Sequence, residues 1–281
     1  MERQGTAVKW ILIMGIGSFL FLGGTAAVMR RAGMGSAPPT ARQDVSPYAG
    51  TRATEISRRL RRAANGLLLT KVFQILREEG LRPRLRGTLD QPEAVWTVTE
   101  GRVDAPLLLV AVSISGGNGP AAAAWLAELA RVVPPRGLRH RVAMVWINSS
   151  DDAVTFSGLL DRLPEAAGWK GRVACRMILS FREGSAVWIA RDRQTPETVW
   201  ETITDASRRA GYKELLRTQP VDIPRSDVRR SDAVLEARIA IGIPGGPERL
   251  TAPDAFKISG DVFYHLLVTW GYEMIVRLGC L

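Results

Sequence analysis

Histidine is scarce in this chain. His140 and His265 are the whole supply in 281 residues, and cysteine is as scarce, with Cys175 and Cys280 alone. Two cysteines far apart in sequence exclude a disulfide framework and a zinc knuckle. Cys175 lies in an apolar run and is expected to be a core thiol; its pairing with Cys280 stays open if the domain is exported. Aromatic residues make up 7% of the chain and do not interleave with the basic ones, and no nucleic-acid-binding module is recognisable, which removes nucleic acid from the partner classes. Internal repeats are absent. Negative charge is also in deficit: 38 Lys and Arg face 28 Asp and Glu, a formal net charge of +10. That balance favours an anionic lipid surface or an acidic partner.

Charge of either sign is missing from Trp10 to Met29, WILIMGIGSFLFLGGTAAVM. At about 1.5 Å rise per residue this run crosses a hydrocarbon core of about 30 Å. Lys9 on one side and Arg30 and Arg31 on the other would hold its ends at the headgroups. A cleaved secretory signal is the competing reading, since Thr25, Ala26 and Ala27 supply small residues. No cysteine follows the run, so a lipoprotein anchor is excluded. Gly17, Gly24 and Ala27 fall near one helical face, where a partner helix could approach closely. Arg3 and Lys9 before the span, against Arg30, Arg31 and Arg42 after it, lean towards a cytoplasmic domain, although long domains translocate largely regardless of charge.

The chain thus divides into an N-terminal flank (1–9), a transmembrane helix (10–29), a Pro, Gly and Ala-rich linker (30–50) and a soluble domain (51–281). In the soluble part, helical spacing runs from Thr54 through Ile56, Leu60, Leu67, Leu68, Val72, Ile75 and Leu76, interrupted at Asn65 and Gly66 and stopped at Gly80. Val95–Val98, Leu107–Val112, Val142–Ile147, Val173–Phe181 and Val187–Ala190 read as strands, and Ala233–Ile243 as a further apolar segment. Ala121–Val133, Asp152–Leu163, Thr195–Gly211 and Val262–Leu278 read as helices. Strands alternating with helices predict an α/β fold of three layers (αβα), with a mainly parallel mixed sheet covered on both faces.

Four stretches carry a resemblance. LLLVAVSISGGNGPAAAAWLAELAR, RVAMVWINSSDDAVTFSG, CRMILSF and SDAVLEARIAIGIPG follow in order and texture the core of the M28 family of zinc-dependent aminopeptidases and carboxypeptidase-like proteins, over about two thirds of the chain. The resemblance implies the fold. It also implies where two zinc ions would be held, by two histidines, a bridging aspartate, a glutamate and another aspartate, with a second glutamate as base. In this sequence the first histidine position falls on Val112 and the acidic one beside it on Ile114. The bridging aspartate falls on Asn118, the base on Ser150 and the neighbouring ligand on Asp151. The third-strand aspartate becomes Ser180 and the final histidine Lys257. Only Asp151 could still coordinate, so no metal, no cofactor and no hydrolytic activity of this type are expected.

Ser113, Ser115, Ser149, Ser150 and Ser180 fall at strand ends, but no G-x-S-x-G elbow accompanies them. The loop with Gly116, Gly117 and Gly119 lacks both the P-loop lysine and the dinucleotide fingerprint. Asp151 and Asp152 read as solvated loop carboxylates. Trp169, in AAGWKG, is expected to be exposed and is a candidate contact residue. The run Arg58, Arg59, Arg61 and Arg62 follows the membrane segment and is a candidate for lipid contact. The expectation is a non-catalytic subunit of a larger membrane assembly, anchored in a bacterial inner membrane with its domain in the periplasm, its partners being membrane lipid and other subunits. The alternatives are a hydrolase with a rearranged site, and a module binding a peptide or small ligand in the vacated cleft.

Overall fold

The computed structural model describes residues 45–46, 48–63, 67–100, 102, 104–115, 117–133, 138–148, 153–184, 187–211, 215–217, 219–223, 234–244 and 260–278. The apolar run Trp10–Met29, with Gly17, Gly24 and Ala27, lies outside them. Among the described residues no helix is long and apolar enough to cross a membrane.

The first periodic stretch forms two helices, α1 (Ala49–Arg61) and α2 (Leu68–Glu78); Asn65 and Gly66, where the pattern breaks, lie outside the described residues. Gly80, at φ +78°, ends α2 in the left-handed conformation that glycine tolerates best. The chain continues through β1 (Arg84–Gly87), β2 (Pro92–Val98), β3 (Leu107–Ser113), α3 (Gly119–Val132), β4 (Arg141–Ile147), α4 (Ala153–Ala166), β5 (Val173–Gly184), β6 (Trp188–Arg191), α5 (Glu197–Arg209), β7 (Leu235–Pro244) and α6 (Gly260–Leu278). The seven strands lie in the order β1-β2-β4-β3-β5-β7-β6.

The sheet is mixed. Its four central strands, β4-β3-β5-β7, are parallel, while β1/β2, β2/β4 and β6/β7 pair antiparallel. Parallel neighbours need a crossover long enough to hold a helix, and α3 and α4 supply it; β1 to β2 is a hairpin. The hairpin turns at Gly87, at φ +91°, where a Cβ would come 2.5 Å from the Gln91 carbonyl oxygen. Sequence reading found no strand at β1, whose four residues are too short for an alternation to register.

The two faces of the sheet are covered unequally. Alternate residues of the strands, among them Val110, Met144, Trp146, Leu179 and Ile239, point into a core shared with α1, α2, α3, α5 and α6. On the opposite face Leu109, Ala111, Val145 and Ile178 meet α4 through Phe156, Leu160 and Leu163. These are the expected three layers. The alanine run Ala121–Ala124 in α3 is entirely buried, and short side chains let that helix sit close enough for the Trp146 indole N–H to donate to the Ala123 carbonyl at 3.1 Å. Gly271 in α6 serves the same purpose against α3, since a Cβ there would lie 2.7 Å from the Trp125 ring.

Candidate functional site

Strand order reverses between β3 and β5: the chain leaves β3 through α3 to reach β4 on one side, and returns through α4 to β5 on the other. In open α/β sheets ligands bind beyond the carboxyl ends of the strands at such a switch point. Here Ser113 closes β3. Ile114 N–H donates to the Ile147 carbonyl at 3.0 Å, and the chain then turns so sharply that a Cβ on Gly119 would lie 1.9 Å from the Ile114 oxygen. Gly119 is therefore required by the turn itself. Asn118 precedes α3 as its N-cap, half-buried, its backbone carbonyl accepting from Ala122 N–H at 3.0 Å and its side chain making no cap.

The positions that the resemblance assigns to the first ligand pair do not face this crevice. Val112 and Ile114 are 0% and 2% exposed and belong to the core under the five helices. Side chains alternate between faces along a strand, so a slip of one residue carries an assigned ligand from site to core. The intervening positions, Ser113 and Ser115, are half-buried with their hydroxyl oxygens 2.8 Å apart. Ser180 is half-buried too, opposite Ala240 in the β5/β7 register; Val112 pairs with Leu179, so Ser113 and Ser180 follow side by side. Three of the predicted serines thus gather where β3 ends beside β5, which itself runs on to Gly184. Ser149, Ser150, Asp151, Asp152 and Lys257 lie outside the described residues.

Zinc does not fit the described serines. Structural and catalytic zinc sites use thiolate, imidazole or carboxylate donors, and a neutral serine hydroxyl is none of these. Among the described residues no group of three His, Cys, Asp or Glu side chains comes together. His140 precedes β4, at the opposite end of the strands, and His265 lies in α6. Cys175, a free thiol on β5, has its pKa pushed up to about 12 by burial, with Glu236 adding to the shift. It is a protonated thiol at neutral pH and a poor nucleophile or ligand.

Trp169 requires correction as a contact residue. It is 6% exposed and meets the Trp96 ring edge-on, centroids 6.0 Å apart at 82°. Gly168 and Gly171, both at positive φ, turn the chain on either side of it and fold the indole back under α4. In the basic run, Arg58 pairs with Glu55 and Arg59 with Glu78 at 2.5 Å, while Arg61 and Arg62 are exposed.

One polar cluster escaped the sequence reading. Arg238 on β7 is 2% exposed, its Nε donating to Glu236 at 2.7 Å. Its backbone is clamped by Thr195, which accepts from Arg238 N–H and donates to the Arg238 carbonyl, both at 3.1 Å. Asp192, 4% exposed, accepts from Ile223 N–H at 3.1 Å and ties the segment after α5 to the edge of the sheet. Glu236 and Arg238 alternate with Ala237 and Ile239, and that alternation was the available signal that this segment is a strand with one polar face.

No protein-family model matches the sequence, and no curated protein does. Solved structures do match. A glutaminyl cyclase from an Acidobacteriales bacterium superposes with a TM-score of 0.57 at 15% identity, covering 87% of this chain and 98% of that one. The Legionella pneumophila LapA aminopeptidase gives 0.57 at 13% identity, over 86% and 74%. A dinuclear metal-binding peptidase of the M20 family from Bacillus subtilis gives 0.56 at 13%, over 83% and 99%. The fold is that of the aminopeptidases and glutaminyl cyclases, and the likeness is one of fold.

Proposed function

We propose that this chain is a non-catalytic, membrane-anchored subunit, exported across a bacterial inner membrane, in which an aminopeptidase-like domain serves as a structural or binding component of a larger membrane complex. The observation that carries the reading is the chemistry at the carboxyl ends of β3 and β5. A two-metal site needs ionised or imidazole donors there, and among the described residues the predicted positions gathered where β3 ends beside β5 carry the hydroxyls of Ser113, Ser115 and Ser180. Of the positions that the resemblance assigns, Asp151 alone keeps a carboxylate, and one carboxylate does not hold a catalytic zinc pair.

Metal analysis of the purified full chain tests the non-catalytic half, together with assays on aminopeptidase and glutaminyl cyclase substrates. The expected result is substoichiometric zinc and no turnover. Stoichiometric zinc with an activity that Asp151→Ala abolishes would sink the reading in favour of a rearranged hydrolase. Extraction in mild detergent followed by native mass spectrometry tests the assembly half; a lone chain, free of other subunits, counts against it.

A further inference from the structure

We propose that the layer made by α1, α2 and β1 is a docking surface for an anionic phospholipid bilayer; this rests on the membrane-anchored reading above for its tether, and on the charge distribution for its chemistry. The excess of positive charge is not spread over the chain. Residues 1–99 hold 15 Lys and Arg against 7 Asp and Glu, whereas residues 100–281 hold 23 against 21. Within the folded part, residues 51–99 alone hold 10 against 5.

Four of those five carboxylates are already engaged with arginines of α1 and β1: Glu55 with Arg58, Glu78 with Arg59, Glu79 with Arg52 and Glu93 with Arg86. Arg62, Arg77, Arg82 and Arg84 are exposed and make no ion pair with a described residue. The Arg59–Glu78 bridge sets the last turns of α1 and α2 side by side, and Arg82 and Arg84 follow α2 within six residues. The unmatched arginines therefore come from adjoining element ends rather than from opposite sides of the domain. A cluster of exposed guanidinium groups on adjoining element ends suits the phosphates of a headgroup layer.

The tether selects lipid over a free acidic partner. Fifteen residues, Arg30 to Asp44, separate the apolar run from Val45, and fully extended they reach at most about 50 Å. A domain so held meets the bilayer at high effective concentration, where each basic residue near an anionic surface contributes about 1 kcal/mol, or roughly fivefold in the docking equilibrium.

The test reconstitutes the full chain in vesicles of phosphatidylcholine alone and of phosphatidylcholine mixed with phosphatidylglycerol. Carbonate extraction reads the anchor, and hydrogen–deuterium exchange of the peptides covering α1 to β1 reads the docking. Expected are retention in both membranes, and slower exchange in this layer only on the anionic one, lost in high salt and in a variant with Arg62, Arg77, Arg82 and Arg84 all changed to Gln. Exchange that is equal on the two membranes, or is unmoved by the fourfold variant with its circular dichroism intact, overturns the proposal. If carbonate releases the chain, the anchored reading fails by itself. Flotation with anionic vesicles then decides docking: salt-sensitive binding supports it and no binding overturns it.

Discussion

The two faces of the sheet differ in what they bury. Under α1, α2, α3, α5 and α6 the strands present an almost unbroken apolar surface, with Trp125, Trp146 and Trp270 fully enclosed. Under α4 the apolar cluster is smaller, and the β5/β7 side of that face carries Arg176 paired with Asp161 and Arg238 paired with Glu236. The crevice serines Ser113 and Ser180 share the parity of this second face. One face thus holds the fold together by packing, and the other combines packing with buried charge. The comparison teaches where the chain can vary: polar residues are accommodated at the rim and within the second face, while the strands under the five helices admit almost none.

The heaviest blow to that comparison falls on the packed face. Trp125 is 0% exposed, lies 6.4 Å from Trp270 and 5.6 Å from Phe181 between ring centroids, and donates its indole N–H to the Leu267 carbonyl at 2.9 Å. Trp125→Ala empties that volume and strands the carbonyl, and is expected to lower stability by about 4 kcal/mol. Urea unfolding measures it. A loss below about 2 kcal/mol would mean that the helices close over the gap and that the face is less tightly packed than its burial implies.

The polar face is probed at Arg238. Arg238→Met leaves the Glu236 carboxylate, whose side chain is 9% exposed, without its guanidinium, at an expected cost of about 3 kcal/mol. Arg238→Met combined with Glu236→Leu removes both charges and is expected to recover most of that loss, because a buried pair replaced by apolar groups is often neutral. If the double variant is as unstable as the single one, the pair contributes attraction beyond its own desolvation and the face depends on charge for stability.

Legibility in the sequence followed the same division. The packed face announced itself: Leu107–Val112 and Val142–Ile147 are continuous apolar runs, and the helical spacing from Thr54 to Leu76 located two helices and their break. What a continuous run conceals is parity. LLLVAVS gives no sign of which residues point to which face, and it is the structure that turns Val112 and Ile114 into the core and Ser113 to the other side. Trp169 misled for a related reason, since a tryptophan between two glycines reads as a loop residue until the glycines' positive φ angles turn it inward. The polar face was the less legible because its charges are matched across strands and helices, Arg176 with Asp161 fifteen residues earlier, and such pairing leaves no local period.

The smallest effect concerns a charge within the packed face. Glu128 in α3 is 0% exposed, and Arg131 Nε donates to both its carboxylate oxygens at 3.1 Å, with Arg52 at 3.6 Å. Burial pushes this carboxyl above its ordinary value of 4.5, against the opposing pull of Arg131 and Arg52. A carboxyl whose pKa rises on folding contributes stability that is fully present below the unfolded value and is lost as pH climbs through the folded one. Glu128→Gln holds the protonated shape at every pH, so the variant should gain slightly on the natural protein as pH rises from about 4 to about 7. Paired urea midpoints at the two pH values check the sign. If the natural protein instead gains on the variant as pH rises, the two arginines outweigh burial at Glu128, and the packed face draws part of its stability from an ion pair.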